Sequence, residues 1–127
     1  MEIKPKAIVP ITAGEDLTAA EGRFVKLSNG KAVSIAAATD SPFGVVIEGA
    51  AANEMAGVAV CGGNAGTLHI VAAGNITKGS YCQMTAAGKI IADSGTGARI
   101  ICAIALEDGT EDQLIEAVLL TPITHAA

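Results

Sequence analysis

The 127-residue sequence has very few aromatic side chains, although half of its residues are hydrophobic. Phe24, Phe43 and Tyr81 are its aromatic residues, and tryptophan is absent. Small-molecule pockets are usually lined by aromatic and other apolar side chains, so the composition argues against a ligand-binding module. A core of small aliphatic residues also buries less apolar area, which stabilises a fold by about 25 cal/mol per Å². Such a chain is expected to gain stability from a partner or from oligomerisation.

Clustered positive charge and long apolar runs are also missing. The eight lysines and arginines are scattered, and the formal net charge is −5. Binding to nucleic acid needs clustered basic residues, so no nucleic-acid partner is expected. The first residues place an acid and a proline where a signal peptide has an apolar run. Because a membrane-spanning helix needs an apolar stretch of about 18 residues or more, no membrane partner is expected either.

The cysteines do not follow the spacing of a disulfide framework or of a metal site. Cys61, Cys82 and Cys102 form an odd set without a C-x-x-C pair. Without an export signal, such cysteines are expected to stay reduced. Small buried thiols fill cores as other small apolar residues do. We therefore predict that Cys82 and Cys102 fill the core and that none of the three cysteines is a metal ligand.

The known catalytic motifs are missing as well. The sequence contains no nucleophile elbow, dinucleotide fingerprint or HExxH motif. Acid–base catalysis needs polar groups that converge in a cleft, and nothing brings together the loose candidates Asp40, Glu48 and Glu54. We predict that the protein is not an enzyme, with no catalytic residue and no cofactor.

Three further segments resemble chemical sites but are predicted to be structural. The Gly-rich segment 61–66 lacks the Lys-Ser/Thr of a phosphate-binding loop and precedes an expected strand. His69 alternates with apolar residues and has no second ligand at metal spacing. The acidic segment 107–112 lacks the ligand order of an EF-hand. We expect a turn, an exposed strand histidine and a solvated acidic loop.

The feature that the sequence does have is a repeated β pattern. Residues 22–33 are similar to residues 79–91, and each segment turns at a Gly-Lys pair. Beyond that turn the match continues without a gap at a distance of 58 positions, which sets Val46 opposite Ile104. One such unit cannot bury its apolar face alone. The pattern predicts an all-β domain, a small barrel or sandwich with an internal duplication.

Turn signals every 8–12 residues and the lack of helical periodicity support this fold class. We predict an extended N-terminal arm, a single β domain, two repeats within it, and a C-terminal tail. The corresponding residues are 1–12 for the arm, 13–120 for the domain, 22–60 and 79–118 for the repeats, and 121–127 for the tail. The predicted strands are 23–27, 31–36, 43–47, 57–60, 67–72, 80–85, 89–92, 99–106 and 113–120.

The arm is a candidate binding segment. Its prolines exclude a helix interior and a central strand, while its apolar residues form one side that could be buried. It is either a frayed terminus or an extended peptide that adds to a sheet edge of another chain, and the apolar side favours the second. Its candidate contact residues are Ile3, Pro5, Ala7, Val9, Pro10 and Ile11.

The order of these signals resembles the head decoration proteins of tailed phages, also called capsid cement proteins. The similarity extends over residues 13–120 and follows the order of segments rather than an invariant motif. The segments that carry it are residues 13–17, 22–27, 29–35, 41–46, 78–81 and 101–106. The longer arm and the tail at 121–127 depart from the pattern of some members.

The resemblance implies a structural protein made in the host cytoplasm and located on the outer capsid surface of the virion. Such a protein binds the major capsid protein of the expanded head, often as a homotrimer, and stabilises the shell against internal pressure. The arm would then pair with a capsid edge strand. Two alternatives stay open at this stage: another virion assembly protein, or a soluble β-barrel module that binds a ligand or peptide.

Overall fold

The computed structural model describes residues 8–62 and 67–126, and these residues form strands and connecting turns. The all-β prediction is confirmed. In chain order the strands of the described residues are β1 (Ile8–Thr12), β2 (Phe24–Ser28), β3 (Lys31–Ser34), β4 (Gly44–Glu48), β5 (Met55–Val60), β6 (Thr67–Val71), β7 (Tyr81–Met84), β8 (Ile90–Ala92), β9 (Arg99–Ala105) and β10 (Leu114–His125). The described part of the chain contains no helix long and apolar enough to cross a membrane.

The tight β2–β3 hairpin follows directly from the sequence. Asn29 and Gly30 adopt positive φ angles of 52° and 76°. Asparagine and glycine tolerate this left-handed conformation better than other residues, and a two-residue hairpin of the favoured type requires it at both central positions. Lys31 then pairs with Ser28 across the turn, which fixes the register of both strands.

The strands form two antiparallel sheets with the same topology. The strand order is β1-β5-β4-β2-β3 in the first sheet and β6-β10-β9-β7-β8 in the second, so each strand of the second sheet occupies the place of the strand five earlier. We call residues 8–62 repeat 1 and residues 67–125 repeat 2. The sheets form a sandwich-like fold rather than a closed barrel, and the predicted internal duplication is present in it.

Details of the backbone repeat as well. In each repeat, the residue after the first strand forms an isolated β-bridge with the strand at the opposite edge of the sheet. Ala13 pairs in this way with Ala32 of β3 in repeat 1, and Ala72 pairs with a residue of β8 in repeat 2. Asn53 and Asp112 have φ angles of 69° and 64°, and they donate their N–H groups to the carbonyls of Ala13 and Ala72, each at 2.8 Å. The duplication therefore includes β1 and β6, which precede the segments of visible sequence similarity.

The structure corrects the alignment of the two repeats by one residue from β4 onward. Phe24 pairs with Val45 in the first sheet, and Tyr81 pairs with Ile104 in the second. Ile104 thus corresponds to Val45, and the ungapped alignment with Val46 is wrong. Ser34 and Ala92 are also equivalent, and Ile104 follows Ala92 by one position more than Val45 follows Ser34. A shift of one residue exchanges the two faces of a strand, so this correction decides which side chains are equivalent.

Parts of the predicted arm and tail lie within the sheets. Residues 8–12 form β1, an edge strand whose five residues pair with β5. Residues 121–125 form the end of β10, where Ile123 pairs with Ile101. Residues 1–7 lie outside the described residues. Removing β1 would break its ladder with β5, so only the residues before it can be removed without cutting into the sheet.

The core is divided between the repeats unequally. One cluster of buried side chains lies wholly in repeat 1 and includes Leu17 and Val25. The other fills repeat 2 but also contains Phe24, Ile35 and Val45 of repeat 1. The interior of repeat 2 is therefore completed by repeat 1.

Asp40 stabilises the β3–β4 loop, and its contribution should depend on pH. Its Oδ2 accepts hydrogen bonds from Lys26 Nζ at 2.9 Å and from the N–H groups of Ala36 and Ala37. The Lys26 bond and the two backbone bonds lower the pKa of Asp40 to about 2. Because the folded state prefers the ionised form, this stabilisation is complete above the ordinary pKa of about 3.9 and is lost as pH falls through about 2.

Replacement of Asp40 by Asn tests this role. We expect a lower melting temperature than the wild type at pH 7 and a smaller difference at the lowest pH at which both proteins fold. Thermal denaturation at several pH values measures the difference, with Glu54→Gln as an exposed control. A difference independent of pH would contradict the ionised role of Asp40.

Candidate functional site

The predicted contact residues are only partly within the described structure. Val9, Pro10 and Ile11 lie in β1, whereas Ile3, Pro5 and Ala7 lie outside the described residues. Ile11 packs against the repeat 1 core. Their role in binding another chain stays a prediction.

The outer edge of β1 is interrupted at Pro10. Ala13 donates its N–H to the Glu54 carbonyl on the β5 side. Because backbone groups alternate in direction along a strand, those of Ile11 also face β5 and those of Pro10 face away. Proline has no N–H and is tolerated on the free side of an edge strand. A strand added to this edge therefore meets a missing donor at Pro10, which favours contacts with the residues before it.

Two of the three cysteines lie in the core, and the third packs against it. Cys82 and Cys102 are buried, and Cys61 is half-buried. Burial raises the pKa of Cys61 to about 12 and that of Cys82 to about 11, and it raises the pKa of Cys102 strongly. All three thiols stay protonated at neutral pH, and a thiol rather than a thiolate is a poor nucleophile and metal ligand.

The acidic loop serves as a set of hydrogen-bond acceptors. Asp108 accepts the N–H of Lys78 at 2.8 Å, and Glu107 accepts the N–H of Glu116 at 2.8 Å. Asp112 pairs with the ammonium of Lys89, which lowers its pKa. These carboxylates hold neighbouring turns and strands. Within residues 8–62 and 67–126, no three His, Cys, Asp or Glu side chains are grouped so that they could hold a metal ion.

The other polar candidates from the sequence lie apart. His69 is exposed in β6 and faces Glu116 across the ladder. Asp40 belongs to the β3–β4 loop, Glu48 ends β4, and Glu54 precedes β5. The structure does not assemble them into one site.

The most distinctive surface of the fold is the contact between the repeats, which we call the seam. Phe24 donates its N–H to the Gly88 carbonyl at 2.7 Å, and Val71 donates its N–H to the Gly22 carbonyl at 2.8 Å. A Cβ atom on Gly88 would lie 2.6 Å from the Phe24 oxygen. The backbones of the two repeats thus meet without room for a side chain.

Two open cavities lie along the seam. One, of about 320 Å³, is lined by Arg23, Phe24, Ile35 and residues around them, together with Ala87 of repeat 2. The other, of about 280 Å³, lies between Ile47 of repeat 1 and the strands β6 and β10, and its lining includes the polar Glu21 and His69. Ligand pockets in proteins usually measure about 300–1,000 Å³, so the first cavity lies at the lower end of this range and the second just below it.

The comparisons with known proteins bear on the fold. A scan against protein-family models gives no match, and a search of curated proteins gives none. Among solved structures, a match is the crystal structure of the head fiber gp8.5 N base of bacteriophage phi29, with a TM-score of 0.66 and 16% sequence identity. The match covers 93% of this chain and 98% of the phage chain. This chain has the fold of a head-fiber base.

The resemblance to phage head proteins is thus confirmed at the level of the fold, because the neighbour is itself a phage head protein. Since the match covers nearly all of both chains, it includes both five-stranded sheets. Sequence analysis missed the seam, although one signal for it was present. Two aromatic residues, Phe24 and Tyr81, occupy equivalent positions, and a pair of large apolar residues at equivalent positions marks a surface that both repeats retain.

Proposed function

We propose that this protein is a decoration protein that binds the outer surface of an expanded phage head and stabilises the shell against internal pressure. Its role is structural rather than catalytic, and its partner is the major capsid protein. The observation that carries the proposal is the fold shared with a phage head-fiber base over nearly the whole chain. Buried and protonated thiols, together with carboxylates engaged in loops, are in keeping with a structural role.

The proposed capsid contact is the segment around the start of β1. β1 lies at a sheet edge, and Ile8 is 52% exposed. An extended segment can pair with an edge strand of another protein, where main-chain hydrogen bonds provide affinity and alternate side chains provide specificity. Because Pro10 offers no donor, the contact runs along residues 1–9, which include the apolar Ile3, Ala7 and Val9. Many copies on one shell would add up weak individual contacts.

Co-sedimentation with capsids tests this function. Shells of the major capsid protein encoded alongside this chain are prepared in unexpanded and expanded, DNA-free forms and mixed with the purified protein. We expect saturable binding to the expanded shells alone. A protein in which residues 1–7 are replaced by a Gly-Ser segment of equal length should fold normally and bind more weakly, because β1 is left intact.

Absence of binding to either form of the shell would contradict the proposed function. Equal binding of the Gly-Ser variant would retain the function but assign the contact to a surface other than the arm. The ligand-module alternative receives less support, because only one of the two seam cavities reaches the usual size of a ligand pocket and that one contains a single aromatic side chain, Phe24.

A further inference from the structure

The repeats contact each other through different surfaces, so each repeat has one seam surface covered and one left over. Repeat 1 contributes the start of β2, with Gly22 and Phe24, and repeat 2 contributes Val71 and the β7–β8 turn at Gly88. A contact between unlike surfaces is heterologous and can be repeated by further copies. The duplication supplies the equivalents of both surfaces on the outside of the molecule.

The glycines of the seam show which surfaces are covered. Gly30 and Gly88 share a φ angle of 76°, and Gly22 and Gly79 have φ angles of 80° and 90°. A Cβ atom on Gly22 would lie 2.4 Å from Leu114 Cδ2, and one on Gly88 would lie 2.6 Å from a backbone oxygen of repeat 1. At Gly30 and Gly79 nothing lies within 4 Å. Equivalent glycines therefore have the same backbone conformation in both repeats. Gly22 and Gly88 are in close contact with the other repeat, whereas Gly30 and Gly79 have no such neighbours.

Side chains on the surface that includes the start of β2 are buried in repeat 1, and their equivalents in repeat 2 are more exposed. Phe24 is 1% exposed and its cross-strand partner Val45 is fully buried, because repeat 2 covers both. Their equivalents are Tyr81, which is 56% exposed, and Ile104, which is half-buried although most of β9 is buried. Apolar side chains on this surface of repeat 2 have no covering element in the described residues.

The receiving side shows the same contrast. Met84 of repeat 2 is fully buried in the cluster that contains Phe24, whereas its equivalent in repeat 1, Leu27, is 43% exposed. Leu114, whose side chain lies against Gly22, has the equivalent Met55, which is exposed on repeat 1. Exposed apolar residues therefore occur on both surfaces that lack a partner.

We propose that the protein self-associates head to tail, with the Tyr81 surface of one copy packed on the Leu27 and Gly30 surface of a second copy in the manner of the internal seam. The Tyr81 N–H would donate to the Gly30 carbonyl of the other copy, as Phe24 does to Gly88 within the chain. The Thr12 N–H would likewise donate to a Gly79 carbonyl, as Val71 does to Gly22.

The differences between the internal seam and the proposed contact are those expected of a surface that also meets water. The position of Phe24 is occupied by Tyr81 in the proposed contact, which adds a hydroxyl group. Ile35 and Ala87 line one seam cavity together, and their equivalents in the proposed contact are the polar residues Asp93 and Asn29. Each of the two surfaces of the proposed contact thus has a polar residue where the internal seam has an apolar one, so the polarity of the two surfaces still matches. Interfaces between separately folded chains are more polar than interiors, particularly at their rims.

The contact goes beyond the proposed function, which concerns attachment to the head. A capsid-free assay separates the two, because failure to self-associate leaves attachment to the head to be tested independently. Light scattering combined with size exclusion compares the measured mass with the 12.6 kDa of one chain. We expect the wild type to exceed this mass increasingly with concentration, whereas Tyr81→Asp and Leu27→Asp should each give the mass of a single chain.

The decisive sample is an equimolar mixture of the two variants. Tyr81→Asp keeps the Leu27 surface and Leu27→Asp keeps the Tyr81 surface, so a head-to-tail contact gives a dimer, at twice the mass of a chain, and nothing larger. Ile123→Asp, a change at another exposed apolar residue, should behave as the wild type. Circular dichroism confirms that each variant is folded.

Four results would overturn the proposal. The first is a wild type that stays monomeric at every concentration, and the second is association that survives either substitution. The third is a failure of the two variants to pair in the mixture. The fourth is a Leu27→Asp protein that is less stable than the wild type but associates as the wild type does. The last result would assign the Leu27 surface to the chain's own residues 1–7 instead of a second copy.

Discussion

Replacement of Gly88 by alanine should lower the free energy of unfolding by about 2–5 kcal/mol. The positive φ angle of 76° costs an alanine about 1–2 kcal/mol. The new Cβ would also lie 2.6 Å from the Phe24 oxygen, and such overpacking typically adds about 1–3 kcal/mol. The obstacle is a backbone atom, so no side chain can rotate away to relieve the contact. The repeats themselves must separate.

The chain contains a matched control for this change. Gly30 has the same φ angle, and a Cβ there meets nothing within 4 Å, so Gly30→Ala should show the conformational cost alone, about 1–2 kcal/mol. Denaturant unfolding of dilute protein measures both variants. If the two substitutions lower the free energy of unfolding equally, the seam accommodates the added Cβ without strain. The close approach of the repeats would then contribute little to stability.

Much of the fold could be predicted because its signals are local. The Asn29–Gly30 pair fixes the β2–β3 hairpin through two positive φ angles, and alternating apolar residues mark most of the strands. The repeated Gly-Lys turn, at Gly30 and Gly88, identifies the duplication. Each of these features depends on a few neighbouring residues, so sequence alone is sufficient.

The alignment of the repeats beyond β3 was wrong by one residue. One extra residue between Ala92 and Ile104 leaves the local apolar pattern intact, since Val45 and Val46 are both apolar. Only the pairing of Phe24 with Val45 and of Tyr81 with Ile104 reveals which residues are equivalent. Long-range register is a property of the sheet rather than of either strand.

The seam could not be predicted for a similar reason. Phe24 and Tyr81 have nearly the same local sequence pattern, and only the three-dimensional placement of repeat 2 buries the first and exposes the second. The arm posed a related problem. Pro10 excludes a central strand, and the structure places it in an edge strand, with its nitrogen turned away from β5. Where an edge strand ends and a free segment begins depends on the partner strand.

The other large effect is expected at Phe24. Phe24→Ala removes a ring that repeat 1 contributes to the interior of repeat 2, and burial of that ring is nearly complete. Large-to-small substitutions of buried aromatic residues cost about 3–5 kcal/mol. The same truncation at the equivalent exposed position, Tyr81→Ala, should change the stability of the monomer by no more than about 0.5 kcal/mol.

Chemical denaturation of both variants at low protein concentration checks this contrast, and Phe24→Leu, which keeps most of the buried apolar volume, should lose less than Phe24→Ala. A small effect of Phe24→Ala would show that the repeats are joined mainly by their backbone hydrogen bonds. At higher protein concentration we expect Tyr81→Ala to have an effect as well, on self-association rather than on the stability of the single chain. Tyr81→Ala should then lower the measured mass, because the ring that is dispensable within one chain belongs to the contact between two.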